Sequence, residues 1–155
     1  EIKWCEAPGA APSVSMLAKE LAGAKGSTFT KINGQSLDVQ LGGFQPTIPT
    51  LVFPNGDSLS GDLSIARYIA REYSKTLYGA DSLSASLVDQ WLEYLQHAAL
   101  RCASPDEYES IVQILEQALA TKTFLVGSTM TLADLVAWSI LQGNGISPSE
   151  NSRLT

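Results

Sequence analysis

The run Ile48-Pro49-Thr50-Leu51-Val52-Phe53-Pro54-Asn55-Gly56-Asp57-Ser58-Leu59-Ser60-Gly61-Asp62-Leu63-Ser64-Ile65-Ala66-Arg67-Tyr68-Ile69 decides how this chain folds. Thr50 to Phe53 reads as a compact apolar strand. Pro54-Asn55-Gly56-Asp57 is a strong turn signal, because Pro presets its own φ and Gly accepts the positive φ of a tight turn. Ser58 and Leu59 then pair back as a hairpin. From about Asp62 to Glu72 the period changes, and Ile65, Tyr68, Ile69 and Tyr73 recur at helical spacing.

Toward the N-terminus, Ile2 to Trp4 reads as a first strand. Pro8, Gly9 and Pro12 form a loop that opens a helix with Val14, Leu17, Ala18 and Leu21 on one face. Thr28 to Ile32 alternates as a second strand, and a loop rich in Gly and Gln runs to about residue 47. The order strand, helix, strand, loop, strand, strand, helix predicts a small thioredoxin-like α/β layer over residues 1–75.

Toward the C-terminus the pattern is helical only, predicting an all-α subdomain over residues 82–155. A long helix from about Ser84 to Cys102 carries Ala85, Val88, Leu92, Leu95, Ala99 and Cys102 on one stripe, with Trp91 beside it. The next opens at Ser104-Pro105-Asp106-Glu107: Ser104 can cap, Pro105 needs no N–H at the first helical position, and Glu107 can reach back to the cap. Tyr108, Ile111, Val112, Leu115 and Leu119 form its apolar face. At Thr131-Leu132-Ala133-Asp134, Thr131 caps and Asp134 can accept the cap residue's N–H, with Met130 and Leu135 as a staple. Leu132, Leu135, Val136 and Ile140 then point inward, and Gly143, Asn144 and Gly145 can end the helix.

The 155 residues suffice for one substantial core or two small subdomains, so function must live in a small surface. With 45% hydrophobic and 17% charged residues the chain is neither disordered nor fibrous. No apolar run is long enough to cross a bilayer. The net charge of -6 opposes a sequence-independent grip on nucleic acid, which depends on Lys and Arg displacing counterions. The two cysteines, Cys5 and Cys102, make no CxxC and no disulfide framework; this suits a reducing, cytoplasmic setting, and no signal-like lead opens at Glu1. His97 is the only histidine, so neither a His-pair zinc site nor a His-based triad with a second histidine is expected. Gly42-Gly43 lacks the lysine and helix start of a phosphate loop. Asp106, Glu107 and Glu109 offset a helix dipole. Trp91 and Trp138 are read first as core, with a partner-facing groove as the other reading.

The residues Ile48-Pro49-Thr50-Leu51-Val52, the Asn55-Gly56 turn and Ser64-Ile65-Ala66-Arg67-Tyr68-Ile69 resemble the N-terminal domain of glutathione transferases. Phe124-Leu125-Val126-Gly127, Thr131-Leu132-Ala133-Asp134-Leu135 and Trp138 resemble the helix-capping signature of that superfamily's helical half. Within it, Leu77-Tyr78-Gly79, Asp89-Gln90-Trp91-Leu92-Glu93-Tyr94 and Trp138-Ser139-Ile140-Leu141-Gln142-Gly143-Asn144 are most similar to the non-catalytic modules of multi-synthetase complexes, the last stretch to glutamyl-tRNA synthetases. Leu59-Ser60-Gly61 and Trp91-Leu92-Glu93-Tyr94 resemble an auxiliary scaffold protein of those complexes almost as well. Methionyl-tRNA synthetase appendages and the gamma subunit of elongation factor 1B are weaker kin.

The resemblance implies a cis Pro at Pro49 and a glutathione site beside it. Where the enzymes place Glu or Gln followed by Ser, this chain has Gly61 and Asp62. Gly61 offers no side chain, and the Asp62 carboxylate would face the carboxylate of glutathione. The site formed by Pro49, Gly61 and Asp62 is therefore read as degenerate, with no cofactor and no metal. The catalytic Tyr, Ser or Cys of the enzymes stands just after the first strand, where this chain has Cys5 and Ser13; Cys5 lacks a visible base.

The expected function is a protein-docking module of a cytosolic aminoacyl-tRNA synthetase, glutamate-tRNA ligase first, that assembles with other transferase-like domains as a homodimer or heterodimer. Methionyl-tRNA synthetase and auxiliary scaffold proteins are the example partners. The expected surface comprises Ile65, Tyr68, Arg71, Trp91, Tyr94 and His97, with Arg153 in a second face; the family also implies further helices after the one opening at Thr131. The alternatives are an active glutathione transferase using Cys5, an auxiliary scaffold protein, and an elongation factor 1B gamma-type subunit.

Overall fold

A computed structural model describes residues 2–6, 14–24, 29–33, 50–101 and 105–143, with side chains for 14–24, 50–98 and 107–142. The backbone divides into two compact units, Glu1–Ser74 and Lys75–Thr155. The first is α/β and the second all-α, the class predicted from the sequence.

The first unit runs β1 (Ile2–Glu6), α1 (Val14–Leu21), β2 (Phe29–Asn33), β3 (Thr50–Val52), β4 (Ser58–Ser60) and α2 (Asp62–Tyr73). The sheet order is β2-β1-β3-β4. β1 lies parallel to β2, β3 is antiparallel to both β1 and β4, and the register sets Thr50 opposite Ser60 and Leu51 opposite Leu59. Thr50 and Ser60 share a hydroxyl hydrogen bond of 2.9 Å across the ladder. At the hairpin tip the Gly56 N–H donates to the Phe53 carbonyl at 3.0 Å, and the Phe53 N–H donates to the Asp57 carbonyl at 2.9 Å. Gly56 takes φ 92°, the residue type a three-residue loop needs at that position.

Helix α2 buries Ile65, Ala66, Ile69 and Ala70, and α1 buries Val14, Ser15 and Ala18. Small residues on both helices let α1 and α2 pack closely. Leu21, assigned to the inner face of α1 by periodicity, is 53% exposed because the helix ends on it.

The helical unit comprises α3 (Lys75–Tyr78), α4 (Ser82–Arg101), α5 (Pro105–Leu119) and α6 (Leu132–Gly143). Its core is made by Val88, Leu92 and Leu95 of α4, Tyr108, Ile111 and Leu115 of α5, and Leu132, Ala133, Leu135, Val136 and Leu141 of α6. α4 packs more extensively on α6 than on α5. Trp138 is 42% exposed and so is not core, since its neighbours Val136 and Ala137 take the inward positions of α6. Met130 is also 44% exposed, which leaves one half of the expected staple open to solvent.

Helix α4 starts two residues before Ser84, and Asp81 is the reason. Its Oδ1 accepts the N–H groups of Leu83 and Ser84, both at 2.9 Å, and its Oδ2 accepts the Ser84 hydroxyl at 2.7 Å. These donors hold the Asp81 carboxyl below the usual carboxylate range, the Ser84 N–H contributing most and its hydroxyl next. At α6, Asp134 Oδ2 accepts the Thr131 N–H at 2.8 Å and the Thr131 hydroxyl at 3.0 Å. Its Oδ1 accepts the Leu125 N–H at 2.9 Å, so one carboxylate both closes the helix start and ties down the preceding loop. Between α3 and α4, the buried Tyr78 donates its hydroxyl to the Asp89 carboxylate. Gly79 has φ 115°, and a Cβ there would lie 2.5 Å from the Ala85 nitrogen.

Gly79→Ala accordingly destabilises the helical unit by about 3 kcal/mol or more, because it combines a backbone clash with a strained φ. Gly56→Ala, strained but with open space around it, costs about 1–2 kcal/mol. Urea unfolding of the two variants measures the gap.

Asp81 predicts a dependence on pH, and Asp134 one on which side-chain oxygens are present. A folded pKa below the unfolded value of about 3.9 means that Asp81 stabilises the native state above that pH. The contribution is lost as pH falls through the folded value, so the stability difference between wild type and Asp81→Ala narrows below about pH 4. Asp134→Ala costs about 2–3 kcal/mol by stranding three donors, and Asp134→Asn recovers only the side that keeps an oxygen. Thermal unfolding across pH reads the first effect, and urea unfolding at neutral pH the second.

Candidate functional site

The region from Gly61 to the first turn of α2 is where the resemblance places a ligand. Gly61 caps α2 with φ 95° and ψ 130° and makes no side-chain cap hydrogen bond. That φ lies where a side chain is strained, so Gly61 has a backbone reason to be glycine besides the loss of a ligand contact. The Asp62 carboxylate turns toward α1. Its Oδ2 accepts the Val14 N–H at 2.9 Å, and its Oδ1 accepts the Ser15 N–H at 3.0 Å and the Ser15 hydroxyl.

The donors at the start of α1 have no carbonyl partner within the helix, and the positive end of the helix dipole favours a carboxylate there. Asp62 therefore acts as a cap supplied from 48 residues away. The charge mismatch expected from the sequence assumed a carboxylate facing the ligand. In the structure both of its oxygens are instead engaged inside the protein.

The other candidates fall into separate places. Pro49, Ser13, Cys102, Ser104 and Arg153 lie outside the described residues. Cys5 sits in β1, its backbone paired with Ile32 and Thr50. Glu107 is exposed in the first turn of α5, and His97 is exposed on α4. Among the described residues no group of three His, Cys, Asp or Glu side chains could hold a metal ion. No helix among them is long and apolar enough to cross a membrane.

Of the expected surface residues, Ile65 needs correction. It is fully buried, an inner residue of α2, and presents nothing to a partner. Tyr68, half-buried, meets Phe53 edge-on with ring centroids 5.2 Å apart. Burial raises its pKa above the ordinary 10.0, with smaller contributions from Tyr73 and Glu72. Arg71 is exposed at the end of α2. On α4, the half-buried Trp91 and Tyr94 make an edge-on pair at 5.9 Å.

Periodicity alone did not single out Leu83 and Leu87, which are 70% and 41% exposed. At helical spacing they continue through Gln90 to Tyr94, making an uncharged outer stripe on α4. The signal was present in the spacing, but an amphipathic reading records only the inner stripe. Tyr94 and Ala98 also line a shallow cleft of about 180 Å³ with Glu107, Ser110 and Ile111 of α5.

Comparison with known proteins bears on this arrangement. The family described as glutathione S-transferase, C-terminal domain, matches residues 79–151. The cytoplasmic glutamate–tRNA ligase of Arabidopsis thaliana is 34% identical over 101 residues, covering 64% of this chain and 14% of that protein. Human eukaryotic translation elongation factor 1 epsilon-1 is 28% identical over 130 residues, 83% of this chain and 68% of that protein. Aminoacyl tRNA synthase complex-interacting multifunctional protein 2 of Cricetulus griseus is 29% identical over 101 residues, 61% of this chain and 30% of that protein. Among solved structures, glutathione S-transferase unclassified 2 of Bombyx mori superposes with a TM-score of 0.73 at 19% identity, covering 90% of this chain and 76% of that one. The chain thus spans only a small part of the ligase it matches, while its fold matches most of a transferase. Residues 79–151 match the glutathione S-transferase C-terminal domain family, and the chain as a whole has the glutathione-transferase fold.

Proposed function

We infer that this chain is a non-catalytic docking module of a cytosolic aminoacyl-tRNA synthetase of the glutamate–tRNA ligase type. It joins the synthetase to other transferase-like domains in a multi-enzyme assembly. The observation that carries this reading is Asp62: the residue at the ligand-facing position of the fold is bound to Val14 and Ser15. Gly61 beside it has no side chain with which to hold a peptide. A protein that keeps the fold while committing that carboxylate to its own helices is suited to binding through its outer faces.

The ligase and the complex-interacting protein among its relatives support the same setting. The docking surface of the helical unit is the outer stripe of α4, with Leu83, Leu87, Trp91, Tyr94 and His97; on the first unit, taken by itself, Tyr68 and Arg71 of α2 are the candidates. Exposed leucines one turn apart beside a paired Trp and Tyr form the apolar, aromatic centre that interfaces favour. Joining a synthetase to a neighbour in this way raises effective concentration without new chemistry. Tyr68 contributes as a hydrogen-bond donor, since a phenol is protonated at neutral pH.

Two measurements test this reading. Asp62→Ala lowers unfolding free energy by about 2–3 kcal/mol, and Asp62→Asn, which keeps one acceptor oxygen, loses about half of that. A loss under about 0.5 kcal/mol for the alanine variant contradicts the role given to this carboxylate. For docking, light scattering of the chain alone and mixed with the transferase-like domain of methionyl-tRNA synthetase or of an auxiliary scaffold protein shows a dimer or a heterodimer. Leu83→Asp with Leu87→Asp weakens that complex by about tenfold or more while thermal stability is retained. A strict monomer with every such partner, or a double variant that binds as wild type does, overturns the assignment.

A further inference from the structure

The hairpin tip between β3 and β4 carries chemistry that the docking function does not use. Asn55 is exposed and is followed by Gly56, also exposed, where even an added Cβ would meet no atom within 4 Å. Nothing on residue 56 shields the Asn55 side chain from the next backbone nitrogen. At the same time the Asn55 amide is tied on both sides to Asp57. Its Nδ2 donates to Asp57 Oδ2 at 2.7 Å, and its Oδ1 accepts the Asp57 N–H at 3.1 Å. The would-be nucleophile is engaged as well, since the Gly56 N–H donates to the Phe53 carbonyl at 3.0 Å.

We propose that Asn55 is a site of spontaneous covalent modification, deamidation through a cyclic imide, and that Asp57 guards it. In the reaction the Gly56 nitrogen attacks Cγ of Asn55, forming the N–Cγ bond and breaking the Cγ–Nδ2 bond. Nδ2 leaves as ammonia, carrying the proton lost from the Gly56 amide. One water then opens the five-membered imide at either carbonyl, giving an aspartyl or an isoaspartyl residue at that position. Water is the only co-reactant, and nothing is oxidised or reduced.

The attack requires the Gly56 nitrogen to surrender its hydrogen bond and the Asn55 side chain to turn away from Asp57, so the folded turn holds back a sequence that is labile when unfolded. The product removes the guard. A carboxylate at position 55 sets like charges together where an amide had donated, and the isoaspartyl form adds a methylene to the backbone of the loop. The 2.9 Å bond from Phe53 to Asp57 closes that loop and keeps β4 in register; β4 leads directly into Gly61 and Asp62.

Mass spectrometry of the intact chain, incubated at neutral pH, tests the proposal. Cleavage after Lys31 and Arg67 leaves the site whole in every variant, and the backbone fragments of that peptide place the gain at residue 55, apart from the Asn33-Gly34 pair and from residue 57 where it is substituted. The fragment gains about 1 Da in the native protein, at a rate about tenfold or more below that of the chain unfolded in urea. Asp57→Ala accelerates the native rate by about threefold or more, while Asp57→Asn, which can still accept from Nδ2, stays within about twofold of wild type. Asn55→Gln abolishes the gain. A native rate equal to the unfolded rate, or an Asp57→Asn rate as high as that of Asp57→Ala, overturns the guard. A native fragment that gains no mass while the unfolded chain converts fully overturns the site.

Discussion

The α/β unit depends on where one carboxylate goes. Asp62 opens α2 yet spends both of its oxygens on the first turn of α1, so charge-assisted hydrogen bonds join the starts of two helices that also pack on one another, each burying small residues. The same geometry carries the functional reading. An oxygen that accepts an N–H from Val14 or Ser15 cannot turn to a ligand without stranding that donor, and a buried or half-buried donor left alone costs more than the bond it lost. The position at which the resemblance sets a ligand and the internal packing of this unit therefore use the same atoms.

The helical unit repeats this use of single carboxylates at helix starts, but locally. Asp81 closes α4 from the residue before it, and Asp134 closes α6 from its first turn while holding the Leu125 N–H of the preceding loop. Gly79 completes the frame by a different means, since only a residue without a Cβ lets the chain pass the start of α4. The frame leaves α4 with Val88, Leu92 and Leu95 inside and Leu83, Leu87 and Tyr94 on its outer stripe. An interaction module needs both, a core that fixes the helix and an outer face that the core does not consume.

Features determined by neighbours in the chain were legible from residues alone. Pro54-Asn55-Gly56-Asp57 announced the hairpin, and the spacing from Thr131 to Asp134 announced the start of α6, because turn and cap chemistry act over three or four residues. The one-turn helix α3 escaped, being too short to establish a period. The start of α4 was misplaced because three serines, Ser82, Ser84 and Ser86, offered competing caps, while the aspartate before them makes the bonds. Nothing local could have paired Asp62 with Val14 and Ser15 across so long a separation. Periodicity likewise placed Ile65 on a helix without saying which face would be covered, and its complete burial followed from packing. The likeness to transferases singled out Gly61 and Asp62; only the structure gave the direction in which Asp62 points.

The central claim is that the anion-seeking donors of α1 are already satisfied by Asp62 and that no peptide thiol takes their place. Titrating glutathione into the chain while following the Val14 and Ser15 amides and the Asp62 carboxyl carbon by NMR tests it directly. The account predicts no saturable change up to about 10 mM ligand, a concentration that would reveal even millimolar affinity. A saturable shift of those three signals, with a dissociation constant in the micromolar to low millimolar range, would contradict it.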